Sequence, residues 1–374
     1  MTRRRVLLCE PYATASHRAW AEGLAAHSGH DVTVVTHPGT SWKWRMQGAA
    51  LTMAEQVDGH VALHGRPDVL VVSEMVHVPA MLGMARRSLA GVPVVVYFHE
   101  NQLTYPPPRE GPPDHTYAMT NWLSMAAADR VVFNSEFHRT EVLDALPDFL
   151  SRFPDRRHDH RLDEVAARST VVPIGVDAEL FVLPDRPPDP DRVPLVLWNH
   201  RWEYDKAPED FFAALHALAD QGVAFEVAVA GESFRVVPPA FAEARDRLGP
   251  RIVHFGTADR AGYVDLIGRA DVVVSTARHE FFGIAVVEAM AAGASAVLPR
   301  RLAYPELVPT PEPYLYDDED DLVRSLRTAL TDHEGRRAAA GAARAHVARF
   351  AWPTVAATYD ALVDQLSETP GPTT

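Results

Sequence analysis

His279-Glu280-Phe281-Phe282-Gly283-Ile284-Ala285-Val286-Val287-Glu288-Ala289-Met290-Ala291-Ala292-Gly293 follows closely on an apolar run, Asp271-Val272-Val273-Val274-Ser275. The run reads as a buried strand that ends in polar residues. The longer stretch then opens a small-residue helix that stops at Gly293, a glycine suited to a C-cap. Glu280 falls in the loop before the helix and Glu288 near its middle, with seven residues between them. With a helix start near Gly283, Glu288 lies little more than one turn in, so both carboxylates can face one cleft. Backbone N–H groups around Phe282 to Ile284 would attract an anion into the same space. Two hydroxyl acceptors beside a phosphate site suit a sugar nucleotide. The same spacing also fits a plain strand–loop–helix unit with two solvated glutamates.

The 374 residues are long for one domain and comfortable for two. A single cysteine, Cys9, excludes an internal disulfide and a multi-cysteine zinc cluster, and fits a reducing cytosol. Met1-Thr2-Arg3-Arg4-Arg5 runs straight into Val6-Leu7-Leu8-Cys9, too short an apolar run for a signal peptide or a membrane span. A soluble, cytoplasmic protein is expected. The net charge of −14 argues against a generally basic nucleic-acid binder. Residues 1–181 carry 17 Lys+Arg against 21 Asp+Glu, a net of −4, and the remainder 19 against 29, a net of −10. Only two cations are lysines, Lys43 and Lys206; the rest are arginines, suited to bidentate phosphate contacts.

The first 180 residues alternate short apolar runs with amphipathic stretches. Strands are predicted over Arg5–Cys9, Val32–Thr36, Val69–Val72, Val92–Phe98, Arg130–Phe133 and Thr170–Pro173. Helices are predicted over Ser16–Ala26, Ala49–Gln56 and Asp114–Ala127. This alternation argues for right-handed βαβ units and a parallel sheet, whose ligands sit beyond the carboxyl ends of the strands. The strand ends are polar: Glu10 to Ser16-His17, then His37 to Trp42-Lys43-Trp44-Arg45, Ser73-Glu74, His99-Glu100-Asn101-Gln102 to Tyr105-Pro106, and Asn134-Ser135. Together they outline a polar cleft, although any single histidine there fits a structural role as well. The Trp42–Arg45 stretch interleaves aromatics with cations, a pairing for stacking on bases and gripping phosphate, or a loop packed by its tryptophans. Ser151–Arg161 is a second charged loop, a candidate RNA-backbone contact or a solvated segment.

A proline cluster over Pro184–Asp191 reads as a stiff connector. Beyond it, Leu195–Trp198 leads to Asn199-His200-Arg201-Trp202-Glu203-Tyr204-Asp205-Lys206, a helix runs over Glu209–Asp220, and Phe225–Ala230 leads to Gly231-Glu232-Ser233-Phe234. Arg201 and Lys206 are two cations after a strand end, placed to neutralise a departing pyrophosphate or to pair with Glu203 and Asp205. Asp320–Ala348 reads as a pair of helices, followed by a last helix to about Leu366.

Glu280 to Glu288 resembles the E-x7-E signature of retaining glycosyltransferases of family four. More narrowly, several stretches resemble the tRNA-queuosine α-mannosyltransferase family. These are Ser41–Arg45, Tyr97–Pro106, Val131–Ser135, Asn199–Lys206, Gly231–Phe234, Ala277–Gly283 and Tyr304-Pro305-Glu306. The likeness runs from about residue 5 to 355. It implies the α/β GT-B fold, two Rossmann-like doubly wound domains facing each other across a cleft. The expected layout is an acceptor-side domain over 1–181, a linker over 182–193, and a nucleotide-sugar domain over 194–349. A helix over about 350–366 would pack back on the first domain, with a tail over 367–374.

The resemblance also implies transfer of mannose from GDP-mannose, with retention, to queuosine in the anticodon of an aspartate tRNA, without a metal or other cofactor. Arg201 and Lys206 would stabilise the leaving GDP, and His99 would face the sugar. Glu280, with Gly231, Glu232, Phe281, Phe282, Gly283 and Ile284, would hold the donor, and Glu288 its ribose. The acceptor would meet Ser16, His17, Trp42, Lys43, Trp44, Arg45, Glu100, Asn101, Gln102, Tyr105 and Asn134. One departure stands out: Thr14-Ala15 occupy the place where the family carries Gly-Gly before Ser-His. Two other readings stay open. One is a related transferase with another sugar nucleotide or a small-molecule or lipid acceptor; the other is a non-catalytic nucleotide-sugar or RNA-binding module.

Overall fold

The computed structural model describes residues 2–105, 115–183, 192–233 and 238–368. The chain forms two compact units, Met1–Gly175 with Trp352–Thr374, and Val176–Ala351. These divisions fall at 175 and 351, where the sequence suggested 181 and 349. The connector at 184–191, residues 369–374 of the tail, Pro106 and Phe234 lie outside the described residues.

The first unit alternates β1 (Arg5–Ala13), α1 (Ala15–His27), β2 (Asp31–Pro38), α2 (Trp42–His64), β3 (Val69–Ser73), α3 (Val78–Met84) and β4 (Val94–Phe98). It continues through α4 (His115–Ala127), β5 (Arg130–Phe133), α5 (Glu136–Ser151), α6 (Leu162–Ala167) and β6 (Ser169–Val171). The six strands are parallel in the order β2-β1-β3-β4-β5-β6. β3 and β4 are buried at every position, as a sheet covered on both faces requires. Winding reverses between β1 and β3, the point at which such sheets open a crevice for ligands. Cys9 pairs with Val72, so Glu10 and Glu74 emerge from neighbouring strand ends.

Two elements run well beyond their predicted extents, the others agreeing within one or two residues at each end. β1 continues beyond Cys9 to Ala13 through an irregularity between Glu10 and Ala13, where Pro11 has no N–H to give the ladder. α2 begins at Trp42 rather than Ala49, so the aromatic-cation stretch is its first turn and not a loop. Nothing between Trp42 and Gln47 breaks a helix, and Met46, Ala49, Ala50, Met53 and Val57 line its buried face at helical spacing.

In the second unit, β7 (Leu195–Trp198), α7 (Pro208–Asp220), β8 (Glu226–Ala230), α8 (Ala240–Leu248), β9 (Ile252–Gly256), α9 (Arg260–Arg269) and β10 (Val272–Val274) lead to the stretch quoted at the outset. α10 (Ile284–Ala291), β11 (Ser295–Pro299), α11 (Tyr304–Leu307), β12 (Leu315–Tyr316), α12 (Glu319–Thr331) and α13 (His333–Val347) complete it. Its parallel order is β12-β11-β10-β7-β8-β9, with the reversal between β7 and β10. The last helix, α14 (Trp352–Glu368), belongs to the first unit. There Tyr359 accepts a hydrogen bond from the Trp20 indole at 2.9 Å, and the Trp352 ring fills the space over Gly23 and Gly175.

Candidate active site

Both reversal points carry buried charge, and each can be built from its strand ends. In the second unit, β7 ends in Asn199 and His200, and its following loop turns back through Asp205 and Lys206. β10 ends in Ser275 and Thr276, with Glu280 and α10 beyond. Thr276 Oγ1 donates to the carbonyls of Lys206 and Ala207 at 2.8 and 2.9 Å, which ties the two loops together. Lys206 is 7% exposed, and its Nζ lies 2.8 Å from the His279 carbonyl, 3.2 Å from Asp205 Oδ2 and 3.4 Å from Glu280 Oε2. Burial alone would push its ammonium down, but Glu280 and Asp205 outweigh burial and hold it above its ordinary value.

Burial likewise favours a neutral Glu280. The Lys206 ammonium, with smaller help from His200 and the Phe282 amide, overturns this and holds the carboxyl at about 2. Its other oxygen accepts from the Phe281 and Phe282 amides at 3.2 and 3.4 Å. The N–H groups predicted to face an anion thus turn partly to Glu280 itself. Burial and the Lys206 charge lower His200 and His279 to about 4, so both are neutral at pH 7. Arg201 is half-exposed and lies 3.2 Å from Glu203 Oε2, whereas Lys206 is enclosed.

Gly283 caps α10 with φ of 89°, a left-handed conformation that favours glycine. Gly231 is needed for another reason: a Cβ there would meet the His200 carbonyl oxygen at 1.9 Å. Glu232 beside it is exposed, and its carbonyl accepts from Trp202 N at 3.0 Å. Phe281 and Phe282 are buried, and Ile284 opens α10 half-buried. Glu288 sits on the fifth position of α10. It accepts from the Tyr263 hydroxyl at 2.8 Å and pairs with Arg260 at 3.4 Å. Burial raises its carboxyl, with Tyr263 and Arg260 opposing. Asn199 Nδ2 donates to Tyr263 at 3.1 Å and to the Ala285 carbonyl at 2.8 Å, which joins β7 to α10.

In the first unit, Glu10 Oε1 accepts from Tyr12 N at 2.7 Å, and Oε2 lies 3.2 Å from His17 Nδ1 and 3.8 Å from His99 Nε2. The two imidazoles stack, centroids 3.9 Å apart with 27° between planes. Burial disfavours a charged His17, but Glu10 outweighs it through charge and hydrogen bonding and lifts the ring to about 9. Burial and the His17 charge push His99 well below its ordinary value, leaving it neutral. Burial pushes Glu74 up to about 8; His17 pulls the other way, while Glu100 and Glu10 reinforce burial. Glu10, His17 and His99 offer three ligand atoms within 4.8 Å of one another, the donor types of a zinc site. Imidazole lone pairs lie in the ring planes, and rings stacked in this way do not aim them at one point. The cluster reads instead as an ion pair backed by a neutral histidine.

The remaining predicted residues divide by exposure. Buried Asn101 accepts from Leu103 N and Thr104 N at 3.0 and 2.8 Å, and buried Asn134 donates to the His99 carbonyl at 2.8 Å. Gln102 spans to Glu100 at 3.0 Å, and the Glu100 amide donates to Glu74 at 3.0 Å. These groups shape the strand-end loops from within. Ser16 is exposed at the start of α1, and Tyr105 is half-buried at the edge of the described residues. Trp42 packs on Tyr117 at 5.2 Å with Lys43 above it at 5.6 Å. Arg45 donates to the Pro38 carbonyl at 3.3 Å, and Trp44 is 63% exposed. The turn after β2 packs on the first loop through Gly39, where a Cβ would meet Thr14 N at 2.5 Å.

Comparison with known proteins gives the family and the fold. Residues 5–176 match the tRNA-queuosine alpha-mannosyltransferase N-terminal family, and residues 183–346 match glycosyl transferases group 1. A tRNA-queuosine alpha-mannosyltransferase of Drosophila melanogaster is 33% identical over 329 residues, spanning 86% of this chain and 85% of that protein. The chain belongs to the tRNA-queuosine alpha-mannosyltransferase family. A GDP-mannose-dependent alpha-(1-6)-phosphatidylinositol dimannoside mannosyltransferase of Mycobacterium tuberculosis is 27% identical over 326 residues, 83% of this chain and 75% of that one. Among solved structures, sucrose-phosphate synthase from Thermosynechococcus elongatus shares the fold, with a TM-score of 0.72 at 20% identity over 97% of this chain and 99% of that one. The fold is GT-B. Among the described residues no helix is long and apolar enough to cross a membrane.

Within this queuosine mannosyltransferase family member, the sequence assigned no site role to Glu10, Glu74, Asn199, Tyr263 or Arg260. A signal existed for the first three. Each is a polar residue at the end of a strand flanking a winding reversal. Tyr263 and Arg260 had none, because α9 reaches Glu288 only through the tertiary fold.

Proposed function

We propose that this glycosyltransferase moves mannose from GDP-mannose to a hydroxyl of queuosine in tRNA, with retention at the anomeric carbon. The observation that carries the reading is the buried Lys206, held between Glu280 and Asp205 at the β7/β10 reversal of a chain belonging to this family. Lys206, with Arg201, supplies positive charge to the departing diphosphate, which is where negative charge develops. No metal is part of this reading. Glu280 and the Phe282–Gly283 backbone bind the sugar, and Glu288, set by Tyr263 and Arg260, binds the ribose. The bond from the anomeric carbon to the phosphate oxygen breaks, and a bond to the acceptor oxygen forms on the same face. The acceptor proton passes to the departing phosphate oxygen. His99 and His17, with Trp42–Arg45, belong to the acceptor-side unit. GDP-mannose as donor is further supported by the GDP-mannose dependence of the 27% identical mycobacterial relative.

The test is incubation with labelled GDP-mannose and queuosine-containing aspartate tRNA beside the same tRNA lacking queuosine. Label is expected only in the first. Absence of label from both, with label released into water or a lipid extract, would remove the acceptor assignment.

A further inference from the structure

The loop after α5 contains four arginines, and they are not equivalent. Arg152 pairs with Asp148 at 2.6 Å and Arg161 with Glu164 at 3.3 Å. Arg156 and Arg157 are exposed, and among the described residues neither pairs with a carboxylate. Arg157 spends only its Nε, on the Phe153 carbonyl at 3.2 Å. The loop is shaped rather than slack. Arg156 and His158 hold φ of 49° and 61°, left-handed conformations costly for side-chain-bearing residues, and the Trp122 indole donates to His158 Nδ1 at 3.4 Å.

This shape opens a cavity of about 280 Å³. Met119, Leu150 and Phe153 form its apolar wall, and Arg156, Arg157 and His158 its cationic rim, with Asp155 the one acid beside them. The volume falls just below the range of roughly 300 to 1,000 Å³ that holds drug-sized ligands, so it suits one planar group. An apolar wall with an aromatic, rimmed by uncommitted guanidiniums, matches a nucleobase attached to phosphates. A chain of net charge −14 repels a polyanion except where cations are left uncompensated.

We infer that this cavity is a nucleotide subsite for the tRNA substrate, which takes one unstacked base on Phe153 and the flanking phosphates on Arg156 and Arg157. The inference rests on the tRNA reading above and adds a place where the RNA is held apart from the sugar chemistry. The subsite raises affinity for tRNA and leaves the transfer step unchanged.

The test uses the full chain with Arg156→Gln/Arg157→Gln, alongside Phe153→Leu, which keeps the loop's packing and removes the stacking face. Binding of queuosine-containing tRNA is followed by filter binding from 50 to 200 mM salt, and transfer is followed with that tRNA and with free queuosine nucleoside. Loss of two phosphate contacts is expected to flatten the log–log salt slope by roughly 1.4 to 1.8 and to weaken binding about tenfold at low salt. Phe153→Leu is expected to weaken binding roughly fivefold or more without changing the slope. Transfer to the nucleoside is expected to stay within about twofold of wild type for both variants. Wild-type affinity and slope in the arginine variant would overturn the subsite, as would equal losses with tRNA and nucleoside. If the wild-type chain itself neither binds nor mannosylates this tRNA, the proposed function fails instead.

Discussion

The two units each carry a winding reversal, and the charged groups there are poised differently. At the β7/β10 reversal one cation is buried between two carboxylates and a carbonyl, so Lys206 is charged and Glu280 is held at about 2. At the β1/β3 reversal the buried pair is Glu10 with a histidine in place of a lysine. One histidine is lifted to about 9, its stacked neighbour is neutral, and Glu74 is raised to about 8. In the proposed function the first arrangement presets charge for an anionic leaving group. The second keeps groups near the protonation threshold, suited to hydrogen bonding with hydroxyls. A shared winding reversal therefore does not dictate the chemistry; the residues of the strand ends and of the loops that follow them do.

The largest expected effect is on the lysine side. Lys206→Met removes the charge at similar volume and leaves Asp205 and Glu280 without it; the single-turnover rate should fall by about 10³-fold or more. Glu280→Gln should cost about 10²-fold in kcat, since it weakens both the sugar contact and the anchoring of Lys206. A loss in either variant confined to KM would mean that the pair only binds the donor.

The next effect separates the units by pH. A histidine raised to about 9 contributes stability that is fully present below 6.5 and lost as pH rises through 9. Glu74 acts in the same direction, because the folded state holds its proton up to about 8. Glu280 acts oppositely: its contribution is present above 4.5 and lost as pH falls towards 2. Glu10→Gln should lower the melting temperature at pH 7 by roughly 5 °C and shrink its decline between pH 6.5 and 9. An unchanged decline would show that Glu10 does not hold His17.

Smaller changes probe the periphery. Tyr263→Phe frees one oxygen of Glu288 and should raise the KM for GDP-mannose about three- to tenfold with little change in kcat. Trp44→Ala should leave stability within about 0.5 kcal/mol, because the side chain is 63% exposed. The same change should weaken tRNA binding roughly fivefold, measurable by filter binding, if that ring stacks on a base.

Much of this organisation is legible in the chain itself. Continuous buried runs such as Val69–Ser73 and Val94–Phe98 announce a two-sided parallel sheet, and the Gly283–Gly293 stretch announces α10 with Glu288 inside it. The extent of α2 was not legible, because Trp42–Arg45 carries the same cations and aromatics whether it coils or turns. Nor was the division among the polar strand-end residues. Asn101 and Asn134 look like ligands in sequence, yet their amides serve the loop and the His99 carbonyl. Asn199, Tyr263 and Arg260 converge on Glu288 and α10 from β7 and α9, a relation set by strand order rather than by spacing.

The central claim is that Lys206 and Glu280 act as one unit at the leaving-group end of the donor. A double-mutant cycle on the single-turnover transfer of labelled mannose to queuosine-containing tRNA tests it most directly. Lys206→Met/Glu280→Gln should be about as slow as Lys206→Met alone; a loss equal to the product of the two single losses, about 10⁵-fold, would show that the two side chains act independently.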